Sequence, residues 1–141
     1  FAPKIGRLIQ RFGERKSLIF EYVGLSMIFA GYAFVESSTV AVFLYIADHL
    51  FFSIAIALKT YFQKIADPAD IASSAGVSFT INHIAAVFIP VVFGLIWLYS
   101  PSLVFLAGAG MACVSLLLAF NMPSEPTPGN EVLMGKVKNY I

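Results

Sequence analysis

Four long apolar stretches divide this chain, and few folds can hold them. They run from about Ser17 to Val35, Thr39 to Leu58, Gly76 to Leu98 and Ser102 to Met122. A helix needs about 20 apolar residues to cross the hydrocarbon of a bilayer, and only a segment that satisfies its own backbone N–H and C=O groups is stable there. Charged residues make up 12% of the chain and its mean hydropathy is +0.84, against about 25% charged in soluble domains. The sequence therefore predicts an all-α membrane protein with four transmembrane helices. Glu36-Ser37-Ser38, the "DPAD" stretch from Asp67 to Asp70, and Ser100-Pro101 separate the spans. Residues 1–16 form a basic loop, 17–122 the membrane part, and 123–141 a tail whose "SEPTPGN" segment is expected to be extended and solvated. No internal repeat is visible in the spans.

The cations set an orientation. Lys4, Arg7, Arg11, Arg15 and Lys16 precede the first span, Lys59 and Lys64 follow the second, and Lys136 and Lys138 follow the fourth. The other two connections carry none. The positive-inside rule makes the shared side cytoplasmic, so both ends lie inside, most simply in a cell (inner) membrane, and the chain makes two out-and-back hairpins. A formal net charge of +1 gives no polyanion surface and argues against nucleic acid as a partner. The single cysteine, Cys113, has no internal disulfide partner. A start at Phe1-Ala2-Pro3, without Met or signal-peptide features, reads as a fragment.

The loop "GRLIQRFGERKSL", Gly6 to Leu18, resembles the cytoplasmic signature of the major facilitator superfamily of transporters. Gly6, Leu8, Arg11, Gly13, Arg15 and Lys16 fit that pattern. Gln10 stands where the family prefers aspartate and Glu14 at a usually basic position, which would weaken the charge network there. The glycines allow a tight turn between helices, and the arginines stay in water while anchoring helix ends. The family carries this signature before its third and ninth helices. Four spans and a short tail follow it here, so the resemblance implies helices nine to twelve, with about two thirds of the molecule outside this sequence. Placement at helices three to six would lead to an arginine in the middle of the second span, where Asp48 stands.

Asp48 and His49 interrupt the apolar run "LYIADHLFFSIAIAL". At 3.6 residues per turn, Ala41, Tyr45, Asp48, Phe52, Ala55 and Lys59 share one stripe, and Ile46, His49, Ser53 and Thr60 the next. A charge near the bilayer centre costs about 2.5 to 3.5 kcal/mol on insertion scales, so it needs a cavity or a partner. The Asp48 face is thus expected to line a polar cavity, and the resemblance implies the same, since the family's tenth helix borders the substrate path. Asp48 and His49 are the candidates for a proton or substrate site, with Tyr45 and Ser53 hydrogen-bonding a solute. Asn82 and His83 in the third span are second-shell or gating candidates, at a depth where His83 could meet Asp48 or His49 if the helices are neighbours. For either histidine an interhelical hydrogen bond is the alternative. Pro90 can kink the third span, as a static bend or as a hinge.

The first and fourth spans carry small residues, Gly24, Ser26, Ala30 and Gly31, then Ala107, Gly108, Ala112, Ser115 and Ala119, which let helices approach closely. Glu21, about a turn inside the first span, is expected to snorkel to headgroups or to pair with Arg15 or Lys16. Two histidines without metal-ligand spacing, and no carboxylate cluster, argue against an enzyme, a metal or a cofactor. The expected partners are lipid, the remaining helices of a transporter and a small-molecule substrate. The expected function is secondary active transport of a small solute by alternating access, with proton coupling as one form of it. A structural or auxiliary four-helix membrane subunit is the alternative.

Overall fold

The computed structural model describes residues 7, 9 and 11–134. Helix α1 spans Glu14–Phe34 and α2 spans Ser38–Phe52. A 3-10 turn, Ser53–Ala55, joins α2 to α3, Ile56–Ile65. Helix α4 spans Ile71–Tyr99 and α5 spans Pro101–Phe120. The helices α1, α2 to α3 taken together, α4 and α5 are each long and apolar enough to cross a membrane. Among the described residues no strand forms, and the one β-bridge, Thr127 with Asn130, closes a turn in the tail.

The second helical span runs on to Ile65, seven residues past the expected end at Leu58, and α4 begins at Ile71 rather than Gly76. The apolar pattern ends at Lys59, but nothing there stops the backbone ladder. The stop is chemical. Asp67 precedes Pro68, which disfavours helical backbone at Asp67. Its Oδ1 accepts the Ala69 N–H at 2.9 Å, and its carbonyl accepts the Asp70 N–H at 2.9 Å. This is an aspartate-led turn of the kind that competes with helix.

Packing centres on α1, which lies along α5 and also contacts α2, the 3-10 turn and α3, while α4 packs on α5. Small residues set the spacing, as their positions implied. A methyl group at Gly24 would overlap the Phe51 ring, which already packs near Phe20 with centroids 5.1 Å apart. A methyl group at Gly108 would sit 3.5 Å from the Phe29 ring. Tyr32 stacks on Phe105 at 4.9 Å, and the Cys113 thiol donates to the Ser26 hydroxyl at 3.6 Å. Ile9, Leu18, Ala57, Ala119 and Met122 form a core at the end of the bundle where α1 begins and α3 and α5 end. Helices α2 and α4 bury no residue at all. Their apolar faces suit lipid or further helices.

The described part of the tail, up to Met134, is folded rather than extended. Asn121 holds it: its carbonyl accepts the Leu133 N–H at 2.8 Å, its Oδ1 accepts the Met134 N–H at 2.6 Å, and its Nδ2 donates to the Met134 carbonyl at 3.4 Å. The Tyr61 hydroxyl donates to the Glu131 carbonyl. Of the two prolines expected to keep the segment solvated, Pro126 is buried, as is Pro123 just before it, while Pro128 is exposed. Proline restricts the chain without excluding it from packing, and an asparagine can supply the donors and acceptors that close a loop.

Candidate functional site

Helix α2 places its polar residues on two sides. Asp48 is 27% exposed and sits toward α1, within electrostatic reach of Tyr32, whose hydroxyl donates to the Ala41 carbonyl at 3.3 Å. Tyr45, His49 and Ser53 form an outward stripe, each four residues from the next. The His49 ring lies 4.2 Å from the Tyr45 ring, and its Nδ1 is 3.0 Å from the Tyr45 carbonyl. A carbonyl only accepts, so Nδ1 carries the proton and Nε2 of the neutral ring is left as an acceptor. The Asp48 Oδ2 is 3.7 Å from the same Nδ1, which is ion-pair range but too long for a hydrogen bond. The Ser53 hydroxyl donates to the Leu50 carbonyl at 2.6 Å, so toward a solute it retains only its lone pairs.

His83 repeats the arrangement on α4, with Nδ1 2.8 Å from the Phe79 carbonyl and rings 3.9 Å apart. Each histidine thus bonds within its own helix rather than across helices. Helix α2 packs on α1 and α4 on α5, so His83 does not meet Asp48 or His49 within this chain. Asn82 and Pro90 are exposed, and α4 runs through Pro90 as one continuous helix. Among the described residues no three His, Cys, Asp or Glu side chains converge as metal ligands would.

A cleft of about 370 Å³ lies between α1, α4 and α5, lined by Tyr22, Phe29, Phe93, Phe105, Met111 and Ser115 among others. Its walls are nearly all apolar and none of the candidate residues lines it. A polar solute would find few partners there.

At the basic loop, Gly13 has φ +85° and ψ 151°, a combination essentially restricted to glycine. It links the helical residues before it to α1, with its N–H on the Ile9 carbonyl at 2.8 Å. Arg15 reaches the last carbonyls of α5, donating to the Phe120 oxygen at 3.2 Å and to the Ser124 hydroxyl at 3.4 Å. A cation there complements the negative end of the helix dipole. Arg11 and Lys16 are exposed, and Gly6 and Leu8 lie outside the described residues. Glu14, at the position expected to weaken the charge network, takes part in an ion pair. That residue is 2% exposed and its Oε1 lies 2.6 Å from Lys64 Nζ, an ion pair across the end of the bundle. Together Glu14 with Lys64 and Arg15 with Phe120 bring the start of α1, the end of α3 and the end of α5 to one face.

Two features had little signal in the sequence. The 3-10 turn at Ser53–Ala55 interrupts a run with no glycine or proline, and only the serine hints at it. Glu21 does not snorkel or pair with Arg15 or Lys16. It is 2% exposed, and its Oε2 has no hydrogen-bond partner. Burial by α1's neighbours is decided by which side α5 and the second span pack against, and a helical wheel alone does not give that. Compared with known proteins, the chain matches no family model, no curated protein and no solved structure.

Proposed function

We propose that this chain is the C-terminal part of a secondary transporter of the major facilitator type, moving a small solute by alternating access with its Lys- and Arg-rich ends in the cytoplasm. The observation that carries the reading is the division of labour among the spans. Helices α2 and α4 hold Asp48, His49, Asn82 and His83 and bury nothing, whereas α1 and α5 pack on each other through small residues. An acid and two histidines at membrane depth need a cover of protein or water, and the remaining helices of a transporter would supply it. The Gly13 turn and the Arg15 contact to α5 support a mechanical role for the signature loop on this reading.

On this reading Asp48 exchanges a proton or binds a cationic group of the solute, and His49 offers Nε2 as an acceptor beside it. Tyr45 supplies a hydroxyl and an aromatic face, and Ser53 supplies an acceptor. His83 and Asn82 complete the site from α4 once the missing helices set the two spans against one cavity, and Pro90 is the flexing point of α4.

The test is uptake by the full-length protein in proteoliposomes, screened over a panel of solutes. Asp48→Asn should abolish proton-driven accumulation and leave exchange of solute for solute, since the amide keeps the shape and removes the titration. His49→Gln should give a smaller loss with a shifted pH dependence. Normal accumulation by Asp48→Asn from about pH 5.5 to about 8 would make Asp48 a structural polar group.

A further inference from the structure

Glu21 is a second intramembrane acid, on the opposite helix from Asp48, and the proposed transport site does not use it. Its place in the fold follows from the antiparallel contacts on either side. Glu14 pairs with Lys64, Gly24 receives Phe51, and a Cβ added at Gly31 would lie 3.4 Å from the Leu44 side chain. The register they set places Glu21 opposite the 3-10 turn Ser53–Ala55, which α1 contacts directly. A buried carboxyl with an unpartnered oxygen therefore faces the one irregular segment of the second span.

Among the described residues, the titratable groups of the elements packed against α1 are otherwise engaged or turned away, and Asp48 of α2 lies farther along, beside His49 and Tyr32. Lys64 is held by Glu14, and the Tyr61 hydroxyl is on the Glu131 carbonyl. Lys59 is exposed, and Cys113 of α5 is on Ser26. On α1 itself Arg15 is tied to the end of α5, Lys16 is exposed, and Tyr22 is the adjacent residue. None forms a salt bridge or hydrogen bond with Glu21. An ionised carboxylate without counter-charge or donor is far more costly in such a place than a neutral carboxyl. A short 3-10 segment inside an α-helix is a place where the two halves can change angle, and bending there would uncover the acid.

We propose that Glu21 and the 3-10 turn form a proton-binding joint: Glu21 carries a proton while α1 packs on Ser53–Ala55 and releases it when the second span bends there. The joint is a property of the packing of two helices and does not depend on the transport reading. Its occupant is the proton alone, because a single carboxyl oxygen without converging donors or ligands does not make a site for a larger ion.

The probe is a hydrophobic carbodiimide, which adds to protonated carboxyls from the apolar phase, applied to the whole protein in detergent and located by peptide mass spectrometry. Glu21 should be labelled at neutral pH, lose label as pH rises, and resist a water-soluble carbodiimide. A second measurement needs no label. If the folded state holds a proton on Glu21 that the unfolded state gives up, stability falls as pH rises, so the melting temperature should fall as pH rises above about 4, the ordinary glutamate range. Glu21→Gln should keep the low-pH melting temperature and flatten that dependence. The proposal is overturned if Glu21 takes no hydrophobic carbodiimide while other carboxyls do. It is equally overturned if Glu21→Gln is as destabilised at low pH as Glu21→Ala, which would show an ionised partner at work.

Discussion

At the scale of single residues, Glu14 and Asp48 show what a polar side chain among apolar ones can mean. Glu14 has given up water for one partner, Lys64, which itself stays 48% exposed. Removing the lysine strands a buried carboxylate. Lys64→Ala should therefore cost up to about 3 kcal/mol, the low end for breaking a buried pair because the lysine is half solvated. The exchange Glu14→Lys with Lys64→Glu should recover part of the loss, and thermal unfolding in detergent measures both. Asp48 was legible in the sequence, since an acid in the middle of an apolar run stands out whatever surrounds it. Glu14 was legible only as a departure from a motif, because its partner lies fifty positions along the chain and only the antiparallel packing of α1 on α3 brings the two together. Its burial depends on that packing, so the same departure from the motif reads as a weakness in the sequence and as a tie in the structure.

At the scale of elements, the four helical spans were readable from apolar length, and their ends less so. The end of the second span depends on how Asp67 and Pro68 arrest a backbone ladder, which a hydropathy pattern does not register. The junction before α1 is the opposite case. A glycine in a basic loop was expected to allow a tight turn, and Gly13 takes a backbone conformation that other residues avoid, with open space where a Cβ would sit. The cost of a side chain there is thus conformational rather than steric. Gly13→Val should lose about 1 to 3 kcal/mol of stability, and Gly13→Ala nearly as much. If the loop governs closure, transport by the full-length protein should fall further than insertion into the membrane does, measured as uptake per molecule in the bilayer. Equal losses in both would leave Gly13 as a turn residue only.

At the scale of the whole molecule, cation placement foretold which ends of the spans lie together, and contacts now join them: Glu14 to Lys64, Arg15 to Phe120, Tyr61 to Glu131. Which compartment that end faces is a matter for labelling. Single cysteines at Glu36 and Ser100 in a Cys113-free background should react with an impermeant maleimide added outside intact cells, and cysteines at Arg11 and Lys64 should not. Reaction of Lys64→Cys from outside would reverse the orientation. The relation of α2 to α4 was beyond the sequence, because polar residues at similar depth carry no information about which helices are neighbours. The connections at the far end have their own consequence. Three residues, Val35 to Ser37, join α1 to α2, and Ser100 alone joins α4 to α5. Links so short leave a protease almost no slack to draw into its cleft and an antibody almost no loop to grip. Within this part of the chain, digestion of sealed vesicles should depend almost entirely on whether the enzyme can reach the face that carries the basic loop and the tail.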